Sequence, residues 1–305
     1  MDNPEVTFVG VDWGTTHRRA YALDAGGQCI RSHADGEGAL ASKGRFPEAL
    51  RAALDAIDAR PTQVLMSGMV GSAMGWKEAP YLDASVALAD MPQHLMLIPD
   101  DSDPVPRHVV PGYCIRNQWG QPDVMRGEET QLLGAVTLGH HTGWFVLPGT
   151  HSKWVELKAG RIVQLRTYMT GELFDVLSKN GTLAAAAGSS EQVWDATVFA
   201  QGVQAAQHGG ALSHLLFECR ARVVCGDMPA ASTRAYLSGV LIGSELHDVA
   251  HSARAAAPVK IIGSPELAQH YQTAAAPLGL AFEVINAQDA FLGAMAHFQS
   301  HGKSA

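Results

Sequence analysis

The sequence predicts an α/β protein built from two similar halves, and an internal repeat carries that expectation. The stretch "VGVDWGTTHRRAYALDAGG", residues 9–27, is an apolar run that stops at an acid, turns on Gly-Thr-Thr and runs extended again. The stretch "GWFVLPGTHSKWVELKAGRIV", residues 143–163, repeats the pattern of strand, Gly-Thr turn, strand, small-residue turn and strand. Gly14 and Gly149 lie 135 residues apart in a chain of 305, and aligning them sets Ala20 opposite Val155 and Ala22 opposite Leu157. Self-similarity on this scale outranks local propensity when a fold is read from sequence. Helical patterns after each meander complete the α/β expectation.

The elements follow in order. Residues 6–11 and 18–24 read as strands, and Ala25-Gly26-Gly27 turns the chain into a third. "FPEALRAALDAI" sets Leu50, Leu54 and Ile57 at helical spacing, and "QVLMSGMVGS" predicts a buried strand entering a glycine-rich loop. Pro99–Asp123, rich in Pro, Asp and Gly, is predicted mainly as loop. "GEETQLLGAVTL" resumes a helix. "VKIIGSPELAQHY" predicts a strand, a Gly263-Ser264 turn and a helix opened by Pro265. From Ser238 to Leu246, the small residues Gly239, Gly243 and Ser244 predict close helix packing.

Composition narrows the function. A formal charge of −8 disfavours a nucleic-acid surface. Apolar content of 47% with 17% charged residues fits a globular chain with a sizeable core. No apolar stretch is long enough to span a bilayer, and the acids of "MDNPEVTF" do not suit a signal peptide. Cys29, Cys114, Cys219 and Cys225 form no C-x-x-C pair, which points to the reducing cytoplasm.

A single Gly-Thr turn is ordinary hairpin chemistry. Two in matched settings suggest a shared ligand, because turn amides and a hydroxyl can cradle phosphate oxygens. The copies differ at one informative place. Leu147 and Pro148 stand where the first copy has Asp12 and Trp13. A single carboxylate at the phosphates is what orienting a Mg²⁺ ion requires. Phosphoryl transfer to a hydroxyl also needs a carboxylate to take its proton. Glu128 and Glu129, after Gly127 at a helix start, are the candidates, although acids in a first helical turn are also favoured by the dipole alone.

These motifs carry a resemblance. "VGVDWGTT" resembles the first phosphate loop of the sugar kinase, actin and heat-shock ATPase superfamily, "LPGTHSKWV" stands in the position of its second, and "GEETQLLGA" is similar to the helix that supplies the base in glycerol and xylulose kinases. Closer still, "SGMVGSAMGWKEAPYL", "VMRGEETQLLGA", "PGTHSKWV", "TGELFDVL", "LSGVLIGSEL" and "DAFLGAM" resemble, in order, the blocks of the 2-dehydro-3-deoxygalactonokinase family. The resemblance implies an actin-like ATPase fold of two ribonuclease H-like lobes around an interlobe cleft. Residues 1–139 would hold the first phosphate loop, the sugar-acid site and the catalytic helix, and residues 140–305 the second phosphate loop and the adenosine site. It implies ATP-dependent phosphorylation of 2-dehydro-3-deoxy-D-galactonate at its 6-hydroxyl, with ATP and Mg²⁺ as cofactors. Another sugar acid or amino sugar, or a non-catalytic regulator on the same fold, stands as the alternative. Most sugar kinases have Asp at the base. Matching from Gly127 chooses Glu128, whereas counting back from Gly134 settles on neither glutamate.

The expected roles are then as follows. Asp12 orients the metal, and Glu128, with Glu129 as alternative, serves as base. Gly14, Thr15, Thr16, Gly149 and Thr150 hold phosphates, and His151 either joins them or is a plain turn residue. Gly263 and Ser264 lie against adenosine in this superfamily, though any α/β unit produces such a turn. A sugar acid asks for a cation and polar donors. Gly71 and Ser72 suit close approach, Lys77 is either the carboxylate's partner or a surface lysine, and Trp76 is a sugar platform or core. Arg126 binds the carboxylate, steadies Glu128 or makes a surface pair. Arg166 and Glu172 belong to the second half's side of the site, Glu172 being a hydroxyl ligand or a helix-start acid. "HDVAH", His247–His251, resembles the H-E-x-x-H zinc pattern but lacks its Glu and a third ligand, so surface histidines are expected. No Walker or Rossmann glycine motif is present. The expected partner is a small sugar acid, with neither nucleic acid nor membrane, and the sequence leaves a homodimer open.

Overall fold

The computed structural model describes residues 5–100, 103–188, 191–253 and 258–301. The chain opens with β1 (Phe8–Trp13), β2 (Arg18–Leu23) and β3 (Cys29–Asp35), then α1 (Phe46–Ala56) and β4 (Gln63–Gly68). β1 pairs antiparallel with β2, Val11 opposite Ala20, and parallel with β4, Trp13 opposite Gly68. Because β1 and β4 are covered on both faces, they read as unbroken apolar runs rather than alternating ones. Phe46, Ala49, Leu50 and Ala53 of α1 are buried, one helical stripe facing Val9, Val11, Trp13, Val64 and Met66. Arg18 is buried too, donating to Asp35 at 2.6 Å and to the Ala49 carbonyl at 2.5 Å, which ties the meander to the helix.

The segment expected to be mainly loop, residues 99–123, is irregular over more than half of its described residues but also carries strands. It contains β7 (Arg107–Val109), β8 (Gly112–Arg116) and the start of β9 (Pro122–Met125), following β5 (Tyr81–Leu82) and β6 (Met96–Ile98). β7 enters the first sheet, whose order is β3-β2-β1-β4-β7-β6, while β5, β8 and β9 form a small sheet of their own. The strands are too short to show periodicity, and β7 carries an arginine that would signal solvent. Arg107 is instead buried and paired with Asp100 and Asp103.

After α2 (Glu128–Thr137), the meander recurs as β10 (Gly143–Leu147), β11 (Ser152–Lys158) and β12 (Arg161–Tyr168). Then come α3 (Thr170–Lys179), α4 (Gly181–Ala187), α5 (Ala196–Gln207), α6 (Leu212–Cys225) and α7 (Thr233–Ala253). β13 (Val259–Gly263), α8 (Pro265–Ala275), β14 (Phe282–Asn286) and α9 (Ala287–His301) complete the chain. The second sheet runs β12-β11-β10-β13-β14, so in each sheet a three-strand meander is followed by a strand parallel to its first, β10 with β13 as β1 with β4, and the first sheet ends on β6, antiparallel to β7. The expected duplication is present in the strand order. The small residues of α7 also pack as expected: a Cβ on Gly239 would lie 2.1 Å from the Phe199 carbonyl oxygen of α5.

The chain divides into two compact units, one of Met1–Thr142, Val155–Leu165 and Ile285–Ala305, the other of Gly143–Trp154 and Arg166–Val284. Thus α9 belongs to the first unit although it ends the sequence. Its "DAFLGAM" motif now has a physical reading. A Cβ on Gly134 of α2 would fall 1.5 Å from the Ala290 carbonyl oxygen, and Met295 fills the space beside Gly10 of β1. Backbone therefore meets backbone where α2 crosses α9, and no side chain at position 134 can be accommodated by a rotamer change. Gly134→Ala is expected to cost about 3 kcal/mol or more, read as a fall in thermal unfolding temperature or loss of folded protein. Gly36→Ala, where a Cβ meets nothing within 4 Å, should stay within about 0.5 kcal/mol of wild type.

Candidate active site

In the first unit, three backbone ends converge. β1 ends at Asp12-Trp13, β4 at Ser67-Gly68, and α2 begins after Gly127. Gly68 and Gly127 have φ of 93° and 111°, a region that disfavours side chains. A Cβ on Gly68 would sit 2.7 Å from the Trp13 carbonyl oxygen, and one on Gly127 would sit 3.3 Å from the Gly68 Cα. Glycine on glycine thus brings the strand end with Asp12 to the helix start with Glu128. The Ser67 and Thr130 hydroxyls, 2.6 Å apart, bond across the same junction.

The Gly14-Thr15-Thr16 turn leaves β1 here. The Gly14 amide donates to the His17 carbonyl at 2.9 Å, and the Gly14 and Thr15 carbonyls accept from Ala39 and Leu40. Asp12 keeps 26% of its side chain exposed, with the Arg19 guanidinium 3.3 Å away. Burial raises its carboxyl above the ordinary range, opposed by Arg19.

The two glutamates have different environments. Glu129 is fully buried, and both its oxygens accept from the Gly127 amide, at 2.9 and 2.8 Å. Burial, followed by the charge of Glu128, pushes its carboxyl up to about 8. Glu128 is half-buried and accepts from the Arg126 amide at 3.1 Å. Glu128 therefore stays partly open to solvent, and Glu129 closes the helix start from inside.

Arg126 neighbours this corner. One guanidinium nitrogen donates to the Ala79 carbonyl at 2.7 Å, and the group lies 4.4 Å from the Tyr81 ring centroid. Its Nε and Nη1 are buried and have no hydrogen-bond partner among the described residues. Gly71 makes room for it, since a Cβ there would approach Nη1 to 3.0 Å. The surface-pair reading of Arg126 is thereby corrected: the guanidinium turns inward. Trp76 is half-buried and packs against the core, stacked on Phe46 with centroids 6.2 Å apart. The Ser72 hydroxyl bonds the Met69 carbonyl at 2.8 Å, and Lys77 is exposed.

The second unit holds a cavity of about 350 Å³. Pro148 and Gly149 line one part, Thr170 and Gly171 of α3 another. The α3 start is seated on the second turn: the Glu172 amide donates to the Thr150 carbonyl at 2.8 Å, and a Cβ on Gly171 would lie 2.2 Å from the Gly149 carbonyl oxygen. A helix N-terminus beside turn amides favours an anion. His151 and Glu172, both candidates, pair with each other at 2.5 Å. Ser264 is the N-cap of α8, its hydroxyl accepting from Leu267, and Gly263 abuts Pro148 beside the cavity lining. Arg166 lies 3.7 Å from Asp248 of α7. His247 is exposed, and the His251 side chain lies outside the described residues.

Sequence reasoning missed most of the cavity wall. Trp194 and His270 stack there at 4.1 Å, and Arg234 lies over Phe174. A signal existed in part, because Arg234, Ser238 and Leu241 share one helical face of α7, as Leu267, His270 and Tyr271 do on α8. Nothing in the sequence marks Trp194, which comes from an irregular segment.

A duplicated meander-plus-parallel sheet, each copy turning on Gly-Thr after its first strand, defines an actin-like ATPase fold of the sugar-kinase kind. Within it, the chain belongs to the 2-keto-3-deoxy-galactonokinase family, whose profile matches residues 12–298. It is 35% identical over 288 residues to a probable 2-dehydro-3-deoxygalactonokinase of Rhizobium meliloti (strain 1021), covering 93% of each chain. It is 33% identical over 286 residues to the 2-dehydro-3-deoxygalactonokinase of Escherichia coli (strain K12), covering 93% of this chain and 94% of that one. A crystal structure of a Sinorhizobium meliloti protein provisionally assigned the same activity superposes with a TM-score of 0.85 at 33% identity, over 95% of each chain.

The buried carboxyl gives a pH prediction. A folded value near 8 against an ordinary 4.5 means that the native state binds more protons than the unfolded state between these values. Stability should then be greatest below the lower value and decline as pH rises towards the upper one. Glu129→Gln keeps an oxygen for the Gly127 amide and removes the titration. The loss of unfolding temperature between about pH 5 and pH 8 should shrink in this variant; an unchanged loss would assign the pH dependence elsewhere.

Proposed function

We propose that this chain transfers the γ-phosphoryl group of ATP to the 6-hydroxyl of 2-dehydro-3-deoxy-D-galactonate, giving the 6-phosphate and ADP. The observation that carries this reading is the junction of β1, β4 and α2 in a chain of this family, beside an inward guanidinium whose Nε and Nη1 have no hydrogen-bond partner among the described residues. An anionic substrate supplies a charged acceptor for a guanidinium with no carboxylate ion pair among the described residues. A neutral sugar supplies no such charge.

The roles divide by chemistry. Glu128 takes the proton of the 6-hydroxyl as its oxygen bonds to the γ-phosphorus and the bond to the ADP oxygen breaks. Glu129 holds the helix start that presents Glu128. The residues around Asp12 fit a Mg²⁺ ion, because its carboxylate stands near the end of β1 beside the Gly14-Thr15-Thr16 turn and keeps 26% of its side chain exposed. When bound, the ion would neutralise charge on the phosphates. Gly14, Thr15 and Thr16 in one unit and Gly149, Thr150 and His151 in the other are the proposed phosphate ligands. The cavity beside Gly149 fits a nucleoside: it is largely apolar and walled by Trp194 and His270, and the proposed adenosine turn reaches it through Gly263 against Pro148 and Ser264 capping the helix of Leu267. Four unpaired cysteines suit a cytoplasmic protein.

An ADP-release assay tests the substrate directly. Activity is expected with the galactonate-derived acid and none with glycerol or neutral hexoses; equal rates with neutral sugars would remove the acid assignment. Glu128→Gln and Asp12→Asn should each lower kcat by about 10²–10⁴-fold with the fold intact, and near-wild-type turnover in either would withdraw that role. Arg126→Met should raise KM for the sugar acid by about 10–100-fold, as loss of a charged hydrogen bond implies, with KM for ATP unchanged. A matching rise in both constants would place Arg126 outside the acid subsite.

A further inference from the structure

The second unit buries one carboxylate that no phosphoryl-transfer role accounts for. Glu245 of α7 is 2% exposed, and four donors from three other elements converge on it. The Ser152 hydroxyl donates at 2.7 Å and the Trp154 indole at 2.5 Å, both from β11. The Thr170 hydroxyl, at the first position of α3, donates at 2.5 Å, and the Tyr271 hydroxyl of α8 lies 3.0 Å from both oxygens. Burial raises the Glu245 carboxyl, opposed by the bonds from Thr170, Trp154, Ser152 and Tyr271.

These donors occupy a telling set of places. Ser152 directly follows the Gly149-Thr150-His151 turn, while Thr170 and Tyr271 line the cavity beside Gly149. Thr170 also begins the helix whose Glu172 amide is bonded to Thr150. One carboxylate therefore joins the exit of the turn, the start of α3 and the cavity wall on α8. Ionised, it offers only acceptor sites, about four of them, which suits four donors. Glutamine offers one oxygen and adds two N–H donors, so part of the set would be left facing a donor.

We infer that Glu245 is a positioning residue for the nucleotide: it never touches ATP, but fixes the second turn and the α3 N-terminus in the arrangement that receives the phosphates. This rests on the reading of that cavity as the nucleotide site, and it assigns the cost of losing Glu245 to one substrate only.

The test measures KM for both substrates, the Kd of Mg·ADP by calorimetry, and thermal unfolding, in wild type, Glu245→Gln and Ser152→Ala. Ser152 is fully buried, its hydroxyl on Glu245 and on Tyr271, which itself bonds Glu245, so a nucleotide-specific effect of its loss runs through this cluster rather than through contact with the nucleotide. Glu245→Gln is expected to raise KM for ATP and Kd for ADP about 10-fold or more, with KM for the sugar acid within about twofold. Ser152→Ala should move the same two constants about threefold, and it decides the matter if Glu245→Gln does not fold. Folded variants with wild-type ADP affinity, or with equal losses for both substrates, overturn the inference. A wild-type chain that binds no ADP overturns the nucleotide-site reading beneath it, a result separable from the first because it appears before any substitution is made.

Discussion

Everything proposed for the first unit depends on one close backbone approach, Gly127 against Gly68 and Gly68 against the Trp13 carbonyl. It is a contact that only residues without a side chain can make, and it decides where two carboxylates go. Asp12 leaves the last turn of β1, and Glu128 the first turn of α2, because the strand ends and the helix start are pressed together. On the far side of α2, Gly134 lies against Ala290 of α9, so the helix is held between two glycine contacts. A helix clamped at both ends presents its first residues with little freedom, which is what a group meant to take a proton from a positioned hydroxyl requires.

The second unit repeats the scaffold but solves a different problem. Its Gly-Thr turn follows Leu147 and Pro148, with no acid to orient a cation. The carboxylate in this half lies instead beneath the turn, as Glu245, reached only by hydroxyls and an indole. Burying a carboxylate without a counter-cation is costly unless its lone pairs are filled, and here four donors fill them. The same meander thus carries an accessible acid in one copy and a buried acid under the other. That difference suits one half handling metal and acceptor and the other holding the nucleotide.

How much of this was legible in the sequence varies by the kind of signal. The duplication was readable because it preserves spacing: β2 and β11 fall at nearly the same offset from their turns, and the strand orders agree. The α1 stripe was readable because burial repeats at helical period. β7 was not, since three residues led by an arginine look like surface until Asp100 and Asp103 are seen to neutralise it. The contrast between Glu128 and Glu129 was equally hidden. Adjacent identical residues at a helix start have the same local sequence, and only the tertiary packing makes one buried and the other half-exposed. Trp76 and Arg126 show both outcomes for ambiguous side chains: the aromatic packed against the core, and the cation turned inward with unfilled donors. Glu245 left no sequence signal, because its partners lie between 26 and 93 residues away.

The proposed site sets a sugar acid between Arg126 and Glu128, its carboxylate at one and its reacting hydroxyl at the other. A crystal structure of the chain soaked with 2-dehydro-3-deoxy-D-galactonate and ADP reads this directly. It should have the acid's carboxylate on the Arg126 guanidinium and its 6-hydroxyl within hydrogen-bond distance of a Glu128 oxygen. Bound acid with its carboxylate held elsewhere and its 6-hydroxyl out of reach of Glu128 would contradict the account.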